Sequence, residues 1–358
     1  KLTNLTGDVL SVAGADPLIT SETFTKLLER RAAEDNPAVV VLGFRSSDPG
    51  LYGRLITNAV GELTAIVEAR DCTPEQLDIN LCNGGTMAID GAVALSMLED
   101  IGNDNAKGEF YLTDLIEIAR DLGRICAYVE VSEQEQLGVD TRADLAAAEA
   151  LVQTRLRNQA MEGGATLIAP ETVTFSYDTE LGRDVTIEPN VFFGPGVRVG
   201  DTVTIKGFSH LEGCFIEDNA TIGPYARLRP GANIGDGAKV GNFVEIKNVE
   251  LGAGAKVNHL SYIGDATVGA KANIGAGTIT CNYDGFNKSR TEIGEGAFIG
   301  SNTALVAPVR VGAGAIIGAG SVITKDAEAD TLTVTRSPQK SIKGWAARFR
   351  KTMQKKKS

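Results

Sequence analysis

The sequence predicts an α/β domain followed by a parallel β-helix. Strand-like and helix-like segments alternate up to about residue 138, and an aliphatic residue recurs every six positions from about residue 181 onward. A clear helical segment at 141–160 separates these two regions. Alternating elements are typical of an α/β sheet, whereas a six-residue period is typical of neither a helix nor a flat sheet.

The first region contains three apolar, β-rich segments and two helical ones. The strand segments are GDVLSVAGA (7–15), AVVVLGFRS (38–46) and ICAYVEV (125–131). The helical segments are SETFTKLLERRAAED (21–35) and YLTDLIEIARDLG (111–123). Their alternation along the chain predicts an α/β sheet.

The segment TRADLAAAEALVQTRLRNQA (141–160) predicts a helix that connects the two regions. Thr141 can cap its start, and Asp144 three residues later completes a capping box. A narrow apolar stripe at helical spacing supports the helix, formed by Leu145, Ala148, Val152 and Leu156.

The second region repeats with a period of six. The recurring residues include Leu181, Ile187, Phe193, Val199, Ile205, Leu211, Ile216, Ile222, Leu228, Ile234, Val240, Ile246, Val257, Ile263, Ile274, Ile293, Ile299, Leu305, Val311, Ile317 and Ile323. Three short strands per coil of about eighteen residues explain this period, with the aliphatic residue inside the coil. The chain has 41 glycines, and we expect those that follow the aliphatic residue to permit the corners.

The period fails once, at TCNYDGFNKSRTE (280–292). A regular coil cannot absorb these residues, so the sequence predicts a loop that leaves the β-helix. Such loops often carry function. We therefore expect a functional site near this loop, between neighbouring chains.

The net charge of −11 excludes general nucleic-acid binding as a first interpretation, because such binding depends on Lys and Arg. The exception is the tail from Lys340 to Ser358, which has eight basic residues and no acidic one. A solvated basic terminus is the simplest interpretation of this tail. Contact with an anionic ligand or a membrane surface is the alternative.

The apolar runs, cysteines and histidines of the sequence exclude several further classes of protein and site. No apolar run reaches ~18 residues, so the sequence predicts no membrane span. Five scattered cysteines without a CxxC pair suggest reduced thiols and a cytoplasmic location. The two histidines, His210 and His259, are too few for a three-histidine metal site such as that of a γ-class carbonic anhydrase.

Five segments of the repeat region follow one another in an order that resembles a known family. They are RLRPGA (227–232), GNFVEIKN (241–248), NHLSYIGD (258–265), NIGAGTITCNYDG (273–285) and FIGSNTALVAPV (298–309). Together they resemble the acetyltransferase domain of the bacterial bifunctional enzymes that are both N-acetylglucosamine-1-phosphate uridyltransferase and glucosamine-1-phosphate N-acetyltransferase. The resemblance implies a left-handed β-helix, acetyl-CoA as co-substrate, sugar phosphates as ligands and a homotrimer with sites between subunits.

The resemblance also implies roles for individual residues. His259 corresponds to the general base that takes a proton from the attacking amine; His210 matches no motif. The glucosamine 1-phosphate ligands correspond to Arg229, Lys247, Tyr262 and Asn273. The acetyl-CoA positions correspond to Ala276, Asn282, Tyr283, Ser301, Ala319 and Arg336.

The first region resembles the uridyltransferase half of the same family more weakly. The matching segments are GLYGRL (50–55), AIVEARD (65–71), CNGGTMAID (82–90), GEFYLTD (108–114) and GVDTR (138–142). By this correspondence, UDP-N-acetylglucosamine contacts fall on Gly53, Glu68, Asn83 and Asp140. The family usually has Asn as a Mg²⁺ ligand at position 140, and Asp is also a hard oxygen ligand.

Two departures from the family pattern matter. The glycine-rich LxAGxGTRMxSxxPK loop that binds the triphosphate has no counterpart in the 358 residues. The family motif YGDxPL reads AGADPL at 13–18, so that Ala15 takes the place of the Mg²⁺-binding Asp. Strand alternation would turn the next residue, Asp16, the other way. We therefore expect this chain to lack uridyltransferase activity.

The predicted fold is thus an α/β nucleotidyltransferase-like (Rossmann-like) domain, incomplete at its N-terminus, followed by a left-handed parallel β-helix of hexapeptide repeats. The predicted divisions are a partial uridyltransferase domain (1–139), a linker helix (140–162), the acetyltransferase β-helix (163–340) and a basic tail (341–358). The alternative to an enzyme is a trimerising scaffold that only senses sugar nucleotides.

Overall fold

The computed structural model describes Leu5, residues 7–103 and residues 108–355. The chain divides into two compact units, Lys1–Val152 and Gln153–Ser358. The elements of the first unit are β1 (Asp8–Ser11), α1 (Ser21–Arg31), β2 (Val39–Arg45), β3 (Arg54–Thr57), β4 (Leu63–Val67), α2 (Pro74–Leu77), β5 (Leu81–Asp90), α3 (Gly91–Glu99), α4 (Leu115–Asp121) and β6 (Cys126–Val131). Helix α5 (Arg142–Glu162) crosses the division.

The first unit is a mixed sheet with helices on both faces. The strand order is β4-β3-β5-β2-β6, and β1 pairs with β5. Only β2 and β6 are parallel, whereas β1, β2 and β3 all run antiparallel to β5. Alternate residues of β2 face opposite sides: Val40 packs with Leu27 of α1, and Val41 packs with helices α3 and α4.

The predicted elements of this unit are confirmed, but they are fewer than the structure contains. Strands β1, β2 and β6 and helices α1 and α4 lie within the segments proposed from sequence. Helix α5 begins with the expected reciprocal pair, in which the Asp144 N–H donates to Thr141 Oγ1 at 3.2 Å and the Thr141 N–H donates to Asp144 Oδ2 at 2.8 Å. The sequence analysis did not assign β3, β4, β5, α2 or α3. In β5 the apolar residues are interrupted by Asn83, Gly84 and Gly85.

The second unit is built from short parallel strands. In chain order they are β7 (Thr166–Leu167), β8 (Glu180–Leu181), β9 (Thr186–Ile187), β10 (Phe192–Phe193), β11 (Arg198–Val199), β12 (Thr204–Ile205), β13 (His210–Leu211), β14 (Cys214–Ile216), β15 (Thr221–Ile222), β16 (Arg227–Leu228), β17 (Ala232–Ile234), β18 (Lys239–Asn242), β19 (Glu245–Leu251), β20 (Lys256–His259), β21 (Tyr262–Val268), β22 (Asn273–Ile274), β23 (Ile279–Cys281), β24 (Thr291–Ile293), β25 (Phe298–Ile299), β26 (Ala304–Val306), β27 (Val309–Val311), β28 (Ile316–Ile317), β29 (Val322–Ile323) and β30 (Leu332–Thr333).

These strands form the parallel β-helix that the six-residue period predicts, with the left-handed coil that the resemblance implies. They stack in three columns, which we call the first, second and third faces. The first face begins β8-β11-β14-β17, and the second runs from β7 through β9, β12, β15, β18, β20, β22, β25 and β28 to β30. The third begins β10-β13-β16, and both β19 and β21 turn from the third face onto the first. Residues that pair between successive coils are 17 or 18 positions apart in the sequence. Glu180 pairs with Arg198, and Thr204 pairs with Thr221.

The recurring aliphatic residues form the core of the β-helix. Ile187, Ile205, Ile246, Ile263 and Ile317 are all fully buried, and they belong to one continuous apolar cluster. Each strand thus contributes one large inward side chain per coil, because the narrow interior has no space for more. The period of six is the direct result of this geometry.

The role expected for the glycines was wrong in part. Gly252 follows Leu251 and does not have a positive φ; instead a Cβ there would lie 2.6 Å from the backbone N of Ala270 in the next coil. Close approach between coils therefore requires this glycine. The left-handed corner falls two residues later at Gly254, with φ +65°, and in other coils at residues such as Asn219, with φ +60°.

The predicted loop is present. Strands β23 and β24 flank residues 282–290, and across this insertion Asn273 pairs with a residue 25 positions later, Phe298. Beyond the β-helix, helix α6 (Trp345–Lys355) ends the described chain with no buried residue. Among the described residues, no helix has the length and apolar character that crossing a bilayer requires.

Candidate active site

His259 lies on the edge where the second face turns into the third. It pairs in register with Asn242 of the preceding coil. The residues above it in successive coils are Ala276, Ser301 and Ala319, and backbone bonds link the coils: Gly277 N to His259 O at 3.3 Å, Asn302 N to Ala276 O at 2.7 Å and Gly320 N to Ser301 O at 2.8 Å. We call this column, from Asn242 to Ala319, the histidine edge.

The imidazole of His259 is exposed and held at one nitrogen. Its Nδ1 lies 2.7 Å from Oδ1 of Asn242. With the amide oriented this way, Nδ1 donates and Nε2 keeps its lone pair for a proton. A cleft of 520 Å³ borders the ring and is also lined by Lys206, Lys239 and Asn258. Asn242 was not singled out from sequence, although its position one coil before His259 is a signal that could have found it.

The residues of the histidine edge that follow His259 have small side chains. Ala276, Ser301 and Ala319 lie one coil apart, so the column from His259 to Ala319 extends roughly 14 Å at ~4.8 Å per coil. The guanidinium of Arg336 donates to the carbonyl of Ala319 at the far end. The structure therefore aligns four of the six predicted acetyl-CoA residues with the predicted base.

A second group of charged residues lies on the edge where the third face turns into the first. The carboxylate of Asp265 is buried at its centre. It accepts hydrogen bonds from the side-chain amides of Asn248, at 2.6 Å, and Asn282, and its Oδ2 lies 3.6 Å from the Lys247 ammonium. Beside it, Arg229 pairs with Glu245 at 2.8 Å. We call Arg229, Lys247, Asp265, Asn282 and Lys288 the cation edge.

Lys288 is a member of this edge that the sequence analysis missed. It lies in the 282–290 loop, and its ammonium lies beside that of Lys247. Contact with the Lys247 ammonium lowers the pKa of Lys288, because two like charges destabilise each other. Burial alone would raise the pKa of Asp265, but the two amide donors and the nearby lysines lower it overall. The edge thus holds crowded positive charge around one anchored carboxylate.

Tyr262 leans over the third face toward the cation edge. Its hydroxyl occupies the space above Gly264, where any Cβ would collide with it. The Asn282 amide approaches that hydroxyl at 3.5 Å. Gly264 is therefore needed for the tyrosine to approach Lys247, with which Gly264 pairs in register.

The predicted acetyltransferase residues do not form one cluster in a single chain. His259 and Lys247 lie at opposite ends of the third face, and the five residue-to-residue steps from His259 to Gly264 span ~16 Å. Asn273 lies elsewhere, on the second face between Lys256 and Phe298. Tyr283 lies in the loop, exposed, with its hydroxyl donating to the Gly285 carbonyl.

The first unit contains a separate cleft of 550 Å³. All four residues implied by the resemblance line it, Gly53, Glu68, Asn83 and Asp140. They come from the ends of different strands and from the segment before α5. The structure thus brings together residues that are up to 87 positions apart, numbered 53 to 140.

The expected orientation of Asp16 was wrong. Asp16 lies in a turn after β1, where strand alternation does not apply, and it lines the same cleft as Asp140. The Val139 N–H donates to the Ala15 carbonyl at 2.8 Å, which ties this turn to the segment carrying Asp140. Burial and the charge of Asp140 raise the pKa of the Asp16 carboxyl above its ordinary value.

Comparison with known proteins agrees with the architecture. The bacterial transferase hexapeptide family (six repeats) matches residues 213–248 and 290–325. "Bifunctional protein GlmU" of Paramagnetospirillum magneticum is 60% identical over 96% of this chain and 76% of its own length. The protein of the same name from Rhodospirillum rubrum is 64% identical over 99% of this chain and 79% of its own length. The chain belongs to the bifunctional GlmU family.

Membership of this family makes the chain a transferase built on hexapeptide repeats, with two functional units. Among solved structures, a UDP-N-acetylglucosamine acyltransferase from Campylobacter jejuni is 18% identical, covers 52% of this chain and 78% of its own, and has a TM-score of 0.35. At that level of likeness it adds nothing to the fold or the site described above.

Proposed function

We propose that the β-helix catalyses CoA-dependent N-acetylation of glucosamine 1-phosphate, giving the N-acetylglucosamine 1-phosphate used to make UDP-N-acetylglucosamine. The observation that carries the proposal is the histidine edge, where an exposed imidazole held by Asn242 stands in one column with Ala276, Ser301 and Ala319. In this proposal acetyl-CoA, a long and thin ligand, lies along that column with its phosphates near Arg336.

His259 acts as the general base in this proposal. An amine attacks a thioester only as the neutral species. As the N–C bond forms, Nε2 accepts the proton that the attacking amine nitrogen loses. Acetyl-CoA supplies the acetyl group; the C–S bond then breaks, and the proton leaves His259 for the departing thiolate. Asn242 keeps Nδ1 protonated and the ring oriented throughout.

The cation edge binds the sugar phosphate. Arg229, Lys247 and Lys288 together supply the charge that a phosphate dianion requires, and guanidinium groups suit phosphate oxygens particularly well. Asp265 and Glu245 hold two of these cations in place before the ligand arrives. Tyr262 and Asn282 offer neutral hydrogen bonds to the sugar.

Two observations support the proposal of a homotrimer with sites between subunits. One chain holds its base and its phosphate-binding cations at opposite edges, so a neighbouring copy has to complete the site. Beside the histidine edge runs an exposed apolar ridge formed by Phe208, Tyr225, Phe243 and Leu260. All four have a positive φ, a costly conformation for large side chains, and the three aromatic rings stack at 5.0 and 5.2 Å. Burial against a second copy offsets this cost.

The cleft of the first unit is proposed to bind UDP-N-acetylglucosamine with Mg²⁺. Asp140 and Asp16 are hard oxygen donors of the kind that Mg²⁺ prefers. Among the described residues no group of three or more acidic, His or Cys side chains is arranged to hold a metal ion. Most ligands would therefore come from water and substrate phosphate, as is usual for Mg²⁺.

A cytoplasmic location is supported by five unpaired cysteines. Burial raises the pKa of Cys126 to about 11 and that of Cys214 to about 12, so these thiols stay protonated.

The deciding experiment measures acetyl transfer from acetyl-CoA to glucosamine 1-phosphate, glucosamine 6-phosphate and serine. We expect preference for the 1-phosphate and at least ~100-fold loss of kcat in His259→Ala, since general bases contribute that much or more. His210→Ala is the matched control, because His210 stacks on Phe192 away from the histidine edge. Unchanged turnover in His259→Ala would contradict the mechanism, and absence of transfer to any amine would favour the scaffold.

A further inference from the structure

Helix α6 presents an apolar stripe that no part of the described chain covers. Trp345, Phe349 and Met353 recur every four residues and share one side of the helix. Their exposed fractions are 53%, 45% and 44%. The rings of Trp345 and Phe349 stack at 5.1 Å with an interplanar angle of 9°, so the stripe is continuous. Ile342, just before the helix, is also exposed.

The rest of the helix surface is basic. Arg348, Arg350, Lys351 and Lys355 point away from the stripe at 3.6 residues per turn. Lys340 and Lys343 precede the helix, and the sequence from 340 to 358 contains no acidic residue. Since the chain carries −11 in total, the remaining 339 residues carry −19. The positive charge is therefore concentrated where the apolar stripe lies.

We propose that α6 binds the surface of a lipid bilayer that contains anionic phospholipids, with its axis in the plane of the interface. Trp and Phe partition to the boundary between headgroups and acyl chains, and Lys and Arg on the other side contact lipid phosphates. The combination selects this partner, because a nucleic acid would use the cations but leave the apolar stripe exposed. An acidic protein surface would need a matching apolar groove, whereas a bilayer needs no shape match.

The helix is suited to reversible attachment only. Helix α6 has only eleven residues, of which four are charged, so it cannot cross a bilayer. The acidic remainder of the chain is repelled by an anionic surface, so contact is confined to the tail. Each basic residue near such a surface adds attraction that falls within a Debye length, which makes the binding sensitive to salt.

The experiment uses the full chain and its only tryptophan. Trp345 is the sole Trp of the sequence, so intrinsic fluorescence reports on α6 alone. We expect a blue shift and co-sedimentation with vesicles of mixed phosphatidylcholine and phosphatidylglycerol, and at least ~10-fold weaker binding to pure phosphatidylcholine vesicles. Added salt should weaken the first interaction.

Two variants separate the apolar and basic contributions. Phe349→Ser and Lys351→Glu should each weaken vesicle binding about tenfold. Ile316→Ser, which removes a similarly exposed apolar side chain from the β-helix (48% against 45% for Phe349), should not weaken it. Acetyl transfer in the absence of lipid should be the same in all three variants, which keeps this proposal separate from the proposed enzyme activity.

Three outcomes would overturn the proposal. One is a fluorescence spectrum that does not change with anionic vesicles. Another is a blue shift that depends on protein concentration without lipid, which would indicate that α6 docks on a second copy of the chain. The third is full binding by Phe349→Ser, which would indicate a purely electrostatic contact with any polyanion.

Discussion

At the scale of single residues, the function of this chain depends on how side chains are held before a ligand arrives. Asn242 fixes one imidazole nitrogen of His259. Asp265, itself anchored by Asn248 and Asn282, keeps Lys247 in place. Lys288 is brought next to Lys247 even though like charges repel each other. In the proposed function, this crowded positive charge binds the phosphate of the substrate.

Lys288→Gln should weaken substrate binding without destabilising the protein. The lowered pKa of Lys288 means that its charged form is disfavoured in the folded state, so at neutral pH the charge costs stability. Removing it should leave the melting temperature unchanged or higher. The KM for glucosamine 1-phosphate should rise about 10-fold or more, because a charge-assisted hydrogen bond is lost. Steady-state kinetics and thermal unfolding test this together, and a lower melting temperature would contradict it.

Asp265→Ala should destabilise the β-helix by about 3 kcal/mol, because it leaves Lys247 without its buried counter-charge. The pKa of Asp265 is lowered on folding, so its contribution is present above its ordinary value near 3.8 and is lost as the pH falls through the folded value. The difference from wild type should therefore be full at pH 7 and shrink below pH ~3.8. Urea unfolding at several pH values measures it; a difference independent of pH would contradict the ionic origin.

At the scale of elements, the β-helix is set by contacts between successive coils. One inward aliphatic side chain per strand fills the interior, and a glycine after it lets two coils approach closely. The extruded loop at 282–290 adds residues without disturbing the coils above it, since pairing resumes at Phe298. Its position between two regular strands lets it place Asn282 and Lys288 at the cation edge.

Gly252→Ala should destabilise the β-helix more than Gly237→Ala. The added methyl group at 252 collides with the backbone of Ala270 and has no room to move, which costs ~3 kcal/mol or more. Gly237 has φ +61° and no atom within 4 Å of the added Cβ, so its substitution costs only ~1 kcal/mol. Thermal unfolding of both variants compares the two effects. Equal melting temperatures would show that corner conformation, rather than coil contact, explains the repeated glycines.

At the scale of the whole molecule, one chain carries the residues of the proposed active site without assembling them. The proposed base lies on the histidine edge and the proposed phosphate-binding cations on the cation edge, at opposite ends of the third face. The exposed ridge of Phe208, Tyr225, Phe243 and Leu260 borders the first of these edges. The proposed association of copies through this ridge would bury its side chains and bring the two edges together.

Phe243→Asp should convert a trimer into monomers and abolish acetyl transfer while the β-helix stays folded. A charge at the ridge would be buried without a partner on association, which costs several kcal/mol. Tyr177→Asp is the control, because Tyr177 is 85% exposed and lies outside the ridge. Sedimentation equilibrium gives the mass, and circular dichroism checks the fold. Wild-type protein that sediments as a single chain, or an active monomeric variant, would exclude a shared site.

Much of the fold could be predicted because the signals are local and repeated. A period of six predicts three strands per coil wherever it continues. Each additional coil shows the same pattern and so supports the same prediction. In the first unit, the missed strand β5 shows the limit: its CNGGTMAID segment contains two glycines and an asparagine, and its pairing with β1, β2 and β3 decides its structure.

The residues of the proposed site could be named from the sequence, but their arrangement could not. The family resemblance named His259, Lys247 and Asp140. It could not show that His259 and Lys247 lie on different edges, that Asp16 turns toward Asp140, or that Asn242 and Lys288 lie beside the named residues. These facts depend on which residues meet across coils or turns, and a loop of nine residues or a single turn changes that register.

The sequence by itself therefore determined the architecture, the family and the candidate chemistry of this protein, because core periodicity and motif residues are properties of short segments. Only the tertiary structure decided which glycines serve coil contact, which cations share a carboxylate and which edge each catalytic part occupies. Those are properties of packing between residues distant in the chain, where each position depends on the register of every coil below it.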